Sequence, residues 1–342
     1  MEGHRTGRRR ASQIGYTTQI MKVAITDYTF PDLSIEQEIL QTIDCEVVAG
    51  QCKTPETLIE LTSDADFVIT QFAPIDGDVV RAMEKAQIIV RYGVGFDNVD
   101  CDAAKEKGIP VCNIPTYCTD EVADHTLAFI LACTRQLRAN CTKVVGGDWG
   151  LAVPITDMRA LRDQTVGIIG LGRIGHSVGK RLQAFGCKVL VTDPVVSDDI
   201  IESIGGTRVS TDQLLADSDI VTLHCPSTPS TRNIIDKAAL KQMKEGSILI
   251  NVGRGDLVEL AAVTEALASG HLSAAALDVF EQEPIPAEHA ILPNQNLIVT
   301  SHIASCSPTA SRTLRETAAN LVVMASKGET LPHVVNGVGS EE

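Results

Sequence analysis

Short apolar runs alternate with segments of helical period along the first third of the chain. The apolar runs predict strands at Val23–Ile25, Val47–Ala49, Phe67–Ile69, Ile88–Val90 and Val111–Cys112. Strands that alternate with helices form βαβ units, in which the strands are parallel. This part of the chain therefore predicts a parallel sheet covered by helices.

A longer apolar helix separates this series from a second one. The pattern predicts the helix from about Asp120 to Arg138, with Thr119 or Asp120 as its cap, and its few polar positions indicate burial between domains. Six more strands are predicted at Val166–Ile169, Val189–Val191, Ile220–Leu223, Ser247–Ile250, Ala274–Ala276 and Leu297–Val299, before a last helix at Ser307–Ser326. Six such strands make a complete dinucleotide-binding fold, so the predicted fold class is α/β.

The size and net charge of the chain limit the kinds of molecule that it is expected to bind. The chain has 342 residues, 44% of them hydrophobic and 21% charged, which is enough for two packed α/β domains. Its formal net charge of -15 would repel a polyanion, because nucleic-acid binding depends on clustered Lys and Arg. We therefore expect no nucleic-acid partner and no anionic membrane partner.

The ten cysteines are scattered, with no CxxC pair and no metal-ligand spacing. Most lie beside apolar residues, as small buried hydrophobes do, which predicts no metal site and is typical of a reducing cytoplasm. No apolar run approaches the roughly 18 residues of a membrane span. Residues 1–20 are polar, without the apolar stretch of a signal peptide, and we expect a disordered extension or a mis-assigned start before Met21.

A glycine-rich turn follows the first strand of the second series. Gly170 permits the tight turn, Gly172 lets the backbone approach a pyrophosphate, and Gly175 lets the helix pack closely on the strand. Asp193 ends the next strand, 18 residues after the last glycine (193 − 175), where a carboxylate binds ribose hydroxyls and repels a 2′-phosphate. Because residues 194–197 supply no cation, the pattern predicts NAD(H) rather than NADP(H).

Three residues that follow later strands suit hydride-transfer chemistry. The guanidinium of Arg254 can grip an α-keto or α-hydroxy carboxylate bidentately. The imidazole of His302 is a side chain suited to reversible proton transfer, and the carboxylate of Glu283 would orient it. Taken singly, a loop arginine or a histidine after a strand is often structural, and the combination carries the prediction.

Four motifs appear in order: the turn at 170–175, Asn251-Val-Gly-Arg-Gly255, Asp278-Val-Phe-Glu-Gln-Glu-Pro284, and His302. This order resembles the D-isomer-specific 2-hydroxyacid dehydrogenase family. The segments at 92–100 and 113–125 also match, so the resemblance extends from Met21 through nearly the whole chain.

The resemblance implies a role for each motif residue. His302 would be the general acid/base, Glu283 its partner and Arg254 the substrate-binding arginine. The implied substrate-binding residues are Phe72, Val94, Gly95 and Arg254. Besides the three fingerprint glycines and Asp193, the implied contacts to the dinucleotide are Thr119, Arg173, Ile174, His224, Cys225, Pro226, Thr231, Val252, Gly253, Arg254, Asp278, His302 and Ala304.

The resemblance also implies two Rossmann-like doubly wound parallel-sheet domains, with the cofactor domain inserted into a discontinuous substrate domain. Residues 21–120 and 307–337 would form the substrate domain and residues 121–306 the NAD-binding domain. These domains would close over the substrate. A homodimer is implied as well, and we interpret Trp149 as a packing or interface residue.

Within the family, residues 191–198 and 223–226 look most like the C-terminal-binding-protein branch, with phosphoglycerate dehydrogenases and glyoxylate or hydroxypyruvate reductases close behind. Residues 69–74 contain no Arg or Lys where phosphoglycerate enzymes present a cation, which favours a small non-phosphorylated 2-keto or D-2-hydroxy acid. Residues 303–306 lack the tryptophan of the animal corepressors. Two alternatives stay open: an NAD(H)-sensing corepressor-type scaffold with vestigial activity, and D-3-phosphoglycerate dehydrogenase.

Overall fold

The computed structural model describes residues 20–339, which cluster into two compact units. The first unit contains residues 20–92, 98–113 and 316–339, and the second contains Gly93–Asp97 and Ile114–Arg315. The substrate and cofactor roles assigned above to parts of the chain remain predictions. The expected extension at residues 1–20 lies, apart from Ile20, outside the described residues.

The first unit is a five-stranded parallel sheet. Its strands are β1 (Met21–Ile25), β2 (Cys45–Ala49), β3 (Phe67–Thr70), β4 (Ile89–Arg91) and β5 (Val111–Cys112), and its helices are α1 (Ser34–Leu40), α2 (Pro55–Thr62), α3 (Gly77–Ala82) and α4 (Cys101–Glu106). The strand order is β2-β1-β3-β4-β5, one of the two common doubly wound orders. All five predicted strands are confirmed to within two residues at each end.

The second unit is a seven-stranded parallel sheet. Its helices are α5 (Thr119–Thr134), α6 (Leu137–Val145), α7 (Arg173–Phe185), α8 (Asp198–Glu202), α9 (Thr211–Asp217), α10 (Lys237–Gln242) and α11 (Leu260–Ser269). Its strands are β6 (Thr165–Ile169), β7 (Lys188–Thr192), β8 (Gly206–Arg208), β9 (Ile220–Leu223), β10 (Ser247–Asn251), β11 (Leu272–Leu277) and β12 (Leu297–Val299). The order β12-β11-β10-β9-β6-β7-β8 contains the dinucleotide-binding arrangement, with β12 added at one edge.

Both faces of this sheet are covered. Along β7, Val189 and Val191 pack into one apolar cluster, while Leu190 between them packs into another. Side chains of a strand alternate between its two faces, so the two clusters are the cores on opposite sides of the sheet. The six predicted strands are confirmed, whereas β8 was missed.

The long apolar helix was predicted incorrectly in two respects. It ends at Thr134, and a second helix, α6, begins at Leu137 after Gln136 takes a left-handed φ of 52°. The cap is neither Thr119 nor Asp120, because Cys118 precedes the first helical residue and its side chain makes no capping bond. Burial along α5 agrees with the apolar pattern, whereas α6 has no buried residue.

The last helix, α12, spans Pro308–Ser326, and the boundary between the two units falls within it. Ser307 was predicted as its first residue but lies just before it, where its hydroxyl accepts the Ala310 N–H at 2.9 Å. Among residues 20–339, no helix is long and apolar enough to cross a membrane.

Candidate active site

The glycine turn lies between β6 and α7, and its geometry matches the fingerprint. Gly170 has a φ of 91°, and a Cβ there would lie 2.6 Å from the backbone nitrogen of Cys225. A Cβ on Gly175 would lie 2.2 Å from the carbonyl oxygen of Gly170. Gly172 precedes the first residue of α7, and apart from its own and its chain neighbours' atoms, no atom of the described residues lies within 4 Å of where its Cβ would be. The turn is therefore tightly packed at Gly170 and Gly175. It is open at Gly172, where the backbone amides at the start of a helix would bind a phosphate.

Asp193 follows β7 directly, and its carboxylate shapes the loop after the strand. One oxygen accepts the N–H of Leu171 at 2.7 Å, and the other accepts those of Val195 and Val196 at 2.8 and 2.9 Å. Burial raises the pKa of this carboxyl, but the three N–H groups and the nearby Arg208 outweigh it, so the pKa lies below its ordinary value. The residue is ionised at neutral pH and joins its loop to the glycine turn.

Arg208 is a cation at this loop that the sequence analysis did not find. Residues 194–197 contain none, but Arg208 reaches the loop from β8, where its Nη1 donates to the carbonyl oxygen of Asp193 at 2.6 Å. Its other nitrogens donate to the carboxylate of Asp198 and the carbonyl oxygen of Val196. The guanidinium thus stabilises the loop that carries Asp193 through hydrogen bonds from all three of its nitrogens.

His224 was predicted to contact the dinucleotide, and the structure places it against the glycine turn. Its backbone N–H donates to Ile169 at 2.8 Å, and its Nε2 lies 2.9 Å from the Thr222 hydroxyl. Burial lowers the pKa of this imidazole to about 3, so it is neutral at physiological pH. Its Nδ1 is buried with no hydrogen-bond partner among the described residues.

The other predicted cofactor residues lie mainly at the carboxyl end of the second sheet. Cys225 and Pro226 follow β9, Val252 and Gly253 follow β10, and Asp278 and Ala304 follow β11 and β12. Arg173 and Ile174 begin α7, Thr119 begins α5, and Thr231 bonds to the carbonyl oxygen of Pro226 at 2.6 Å. Ligands of open α/β sheets bind at this end of the strands. The residues present therefore fit a dinucleotide.

Arg254 is held in place by the segment that carries Gly95. Its Nε lies 2.9 Å from a carboxylate oxygen of Asp97, and its Nη1 donates to the carbonyl oxygen of Gly253 at 2.9 Å. A Cβ on Gly95 would lie 1.5 Å from Nη2 of Arg254, so the guanidinium lies directly against this glycine. The structure thus brings together two predicted substrate-binding residues, Arg254 and Gly95, in the segment that also contains Val94.

A close backbone approach joins the arginine loop to the glutamate loop. A Cβ on Gly255 would lie 1.9 Å from the carbonyl carbon of Phe280 and 2.2 Å from the nitrogen of Glu281. Only glycine fits at such a distance. The spacing between Arg254 and Glu283 therefore depends on the absence of a side chain at Gly255.

Glu283 and His302 form a hydrogen-bonded pair. Nδ1 of His302 lies 2.7 Å from Oε2 of Glu283, and Oε1 accepts the Phe280 N–H at 2.9 Å. Burial raises the pKa of the Glu283 carboxyl, but His302, the Phe280 N–H and the charge of Arg254 together lower it below its ordinary value. All three predicted catalytic residues are thus electrostatically linked within the second unit.

Phe72 belongs to the first unit. It lies in a turn after β3, whose amides at Gln71, Phe72 and Ala73 donate to the carboxylate of Asp27 at 2.9, 2.7 and 3.1 Å. Arg91, at the end of β4, places its guanidinium carbon 5.8 Å from the centre of the Phe72 ring. Although residues 69–74 contain no cation, the fold brings one beside them.

Comparison with known proteins decides the family. Residues 127–304 match the family model described as the NAD binding domain of D-isomer specific 2-hydroxyacid dehydrogenase. The chain belongs to this family. NAD is accordingly its cofactor, and the two-sheet α/β fold agrees with the family's structures.

Relatives of this dehydrogenase family carry several names. A glyoxylate reductase of Korarchaeum cryptofilum is 35% identical, with 82% of this chain and 86% of the relative covered. A D-3-phosphoglycerate dehydrogenase of Archaeoglobus fulgidus is 36% identical over 86% of this chain, which spans only 55% of that relative's length. The structure of an Aquifex aeolicus D-lactate dehydrogenase with NAD and lactic acid has a TM-score of 0.82 and 30% identity, covering 90% of this chain and 96% of that one.

Sequence reasoning missed several residues that shape the site. The sequence carried a signal for Asp97, because this residue lies two positions after Gly95 in the segment 92–100, which matches the family. Thr300, which bonds to Asp278, and Arg208 had none, because single polar residues at a strand end or edge are common. Arg91 looked like the polar end of a strand, and only the sheet order places it beside Phe72.

Proposed function

We propose that the chain is an NAD(H)-dependent oxidoreductase that interconverts a small, non-phosphorylated D-2-hydroxy acid and its 2-keto acid, of the glyoxylate or hydroxypyruvate type. The observation that carries this proposal is the bonded pair of His302 and Glu283, with the charge of Arg254 acting on Glu283. A base, its orienting carboxylate and a carboxylate-binding cation are what the reaction needs from the protein.

The division of labour follows from the contacts. Glu283 holds the His302 ring through Nδ1, and we assign the other ring nitrogen, Nε2, to take the hydroxyl proton during oxidation and to return it during reduction. The positive charge that the imidazole gains is stabilised by the ionised Glu283. With Nε of Arg254 on Asp97, its terminal nitrogens are the ones suited to a substrate carboxylate, beside the backbone of Gly95. Bound NAD(H) would supply or receive the hydride, while these residues bind the substrate and move its proton.

One observation supports a non-phosphorylated substrate. Residues 69–74 contain no Lys or Arg, the side chains that would pair with a phosphate group there. Relatives named glyoxylate reductase, at 35% identity, agree with this choice.

The test is NADH oxidation, and NADPH oxidation in parallel, with a panel of glyoxylate, hydroxypyruvate, pyruvate and 2-ketobutyrate. We expect turnover with at least one of them and a strong preference for NADH. His302→Ala should lower kcat by about 100- to 10,000-fold while the Kd for NADH stays nearly unchanged. Tight NADH binding with no turnover on any keto acid would favour the corepressor-type scaffold instead.

A second candidate is D-3-phosphoglycerate dehydrogenase. The observation in its favour is Arg91, a cation beside Phe72 that the sequence of 69–74 did not reveal. Adding phosphohydroxypyruvate to the panel separates the two candidates. A kcat/KM for phosphohydroxypyruvate well above that for glyoxylate and hydroxypyruvate would favour the second.

We also propose that two copies of the chain associate through the surface around α6. Val145 and Trp149 are 82% and 91% exposed, and Leu137, Leu151 and Ile155 nearby are exposed as well. Large apolar groups concentrated on one stretch of surface typically mark an interaction site. Light scattering after gel filtration should give twice the chain mass for the wild type. The mass should fall toward that of one chain when Val145→Ser and Trp149→Ser are combined.

A cytoplasmic location is proposed on the state of the cysteines. All ten, from Cys45 to Cys306, are free thiols in the structure. Free thiols persist in a reducing compartment. Fractionation of cells that express the tagged chain would test this.

A further inference from the structure

The hydroxyl of Thr300 lies between two side chains from different parts of the second unit. Its Oγ1 donates to Oδ1 of Asp278 and lies 3.2 Å from Nε2 of His125, on α5. A hydroxyl has one proton, and an ionised carboxylate only accepts. Thr300 must therefore donate to Asp278 and accept from His125, which fixes the proton of His125 on Nε2.

Asp278 also forms hydrogen bonds with the backbone of the segment that carries His302. Its carboxylate accepts the N–H of Ile303 and that of Ala304, each at 2.9 Å, and its backbone carbonyl accepts the N–H of His302 at 2.8 Å. Asp278 is 1% exposed, so these bonds lie away from water, where they are strongest.

The backbone of His302 needs such support. Its φ is 57°, a left-handed value that residues other than glycine rarely adopt and that persists only when neighbouring contacts enforce it. Three consecutive N–H groups, from His302 to Ala304, are held by the one residue Asp278. Asp278 is therefore the anchor of this conformation.

We propose that His125, Thr300 and Asp278 form a directional hydrogen-bond chain that positions His302 for proton transfer. This inference rests on the proposed function, because it assigns positioning residues to the same reaction. The chain fixes the His302 backbone, and Glu283 then fixes its ring. The ring of His125 packs edge-on against that of Phe129, with ring centres 4.4 Å apart. The first residue of the hydrogen-bond chain is therefore held in place by a contact within α5.

The central test compares Thr300→Val with Thr300→Ser. Valine keeps the shape of threonine but cannot donate to Asp278, whereas serine keeps the hydroxyl. We expect Val to lower kcat about 10- to 100-fold, since a displacement of about 1 Å at a reacting group costs that much. Ser should stay within about threefold of wild type. KM for the keto acid should change little in either variant.

Two further comparisons exclude a general loss of stability. Thr134→Val removes a buried hydroxyl that bonds only to the backbone of α5, and it should leave kcat unchanged. His125→Leu should lower kcat, and His125→Gln, which retains an N–H donor, should recover most of it. This second pair keeps the proposal testable if Thr300→Val fails to fold.

The outcomes separate the inference from the proposed function. No turnover by the wild-type chain with any keto acid would overturn both. An active wild type with a Thr300→Val variant of normal kcat, or with Ser as impaired as Val, would overturn the positioning chain alone. If Thr300→Val does not fold, equal kcat for His125→Leu and His125→Gln would overturn it.

Discussion

Nδ1 of His302 lies 2.7 Å from Oε2 of Glu283, and both residues are anchored by the segment that follows β11. Asp278 holds the backbone of His302, and the Phe280 N–H holds the second oxygen of Glu283. The short segment after β11 therefore positions both the proposed acid, His302, and the carboxylate that orients it, Glu283. Because their relative position depends on that segment, substitutions there are expected to affect proton transfer.

Glu283→Gln tests the charge in this pair. The amide oxygen can still accept from Nδ1, but it cannot stabilise a protonated imidazole. We expect kcat to fall about 10- to 100-fold, with the Kd for NADH unchanged. Steady-state rates with the best keto acid of the panel and NADH titration by fluorescence measure the two quantities. A kcat within twofold of wild type would show that orientation alone suffices.

Asp97→Ala tests how Arg254 is positioned. The ion pair joins a guanidinium that is 21% exposed to a carboxylate that is 48% exposed, so its strength is partly screened by water. Loss of the partner should let the guanidinium move away from Gly95 and raise KM for the keto acid about 10-fold. Asp97→Asn, which can still accept from Nε, should lie between the alanine variant and wild type. An unchanged KM in the alanine variant would contradict this role.

The fold was largely predictable because buried strands carry their signal locally. Eleven of the twelve strands follow apolar runs, whereas β8 consists of Gly206, Thr207 and Arg208 at a sheet edge and has no such run. The break between α5 and α6 escaped prediction because a left-handed residue such as Gln136 interrupts a helix without any proline or glycine. Local pattern does not encode a turn that tertiary contacts impose.

For the candidate site, the sequence predicted which residue types follow the strands. It did not predict the contacts between them. The sequence indicated Arg254, Glu283 and His302, but the bond from Arg254 to Asp97 spans 157 positions. That from Thr300 to Asp278 depends on how β11 and β12 pair. These contacts depend on strand order and register, which short motifs do not specify.

Gly255→Ala tests the contact between the two catalytic loops. The added methyl would meet backbone atoms of Phe280 and Glu281, which cannot move aside as a flexible side chain could. We expect a loss of about 1–3 kcal/mol in the free energy of unfolding and a fall in kcat, because Arg254 and Glu283 are forced apart. Gly146→Ala, which adds a methyl at the end of α6 and outside both loops, is the control and should leave kcat unchanged. Denaturant unfolding and steady-state rates would check both.

Asp193→Asn tests the pH dependence of stability. The pKa of Asp193 lies below its ordinary value in the folded chain, so the ionised carboxylate stabilises the fold. That contribution is complete above the unfolded pKa of about 3.9 and is lost as pH falls through the lower folded value. We expect the variant to lower the Tm by about 2–5 °C at pH 7. The Tm difference should shrink as the pH falls below about 3.9 and should vanish only below the lowered pKa of the folded carboxyl. Asp217→Asn removes the same charge from an exposed site outside the proposed interface and should leave the Tm nearly unchanged at either pH. A Tm difference for Asp193→Asn that persists undiminished in acid would mean that the loop is stabilised by the shape of the side chain and not by its charge.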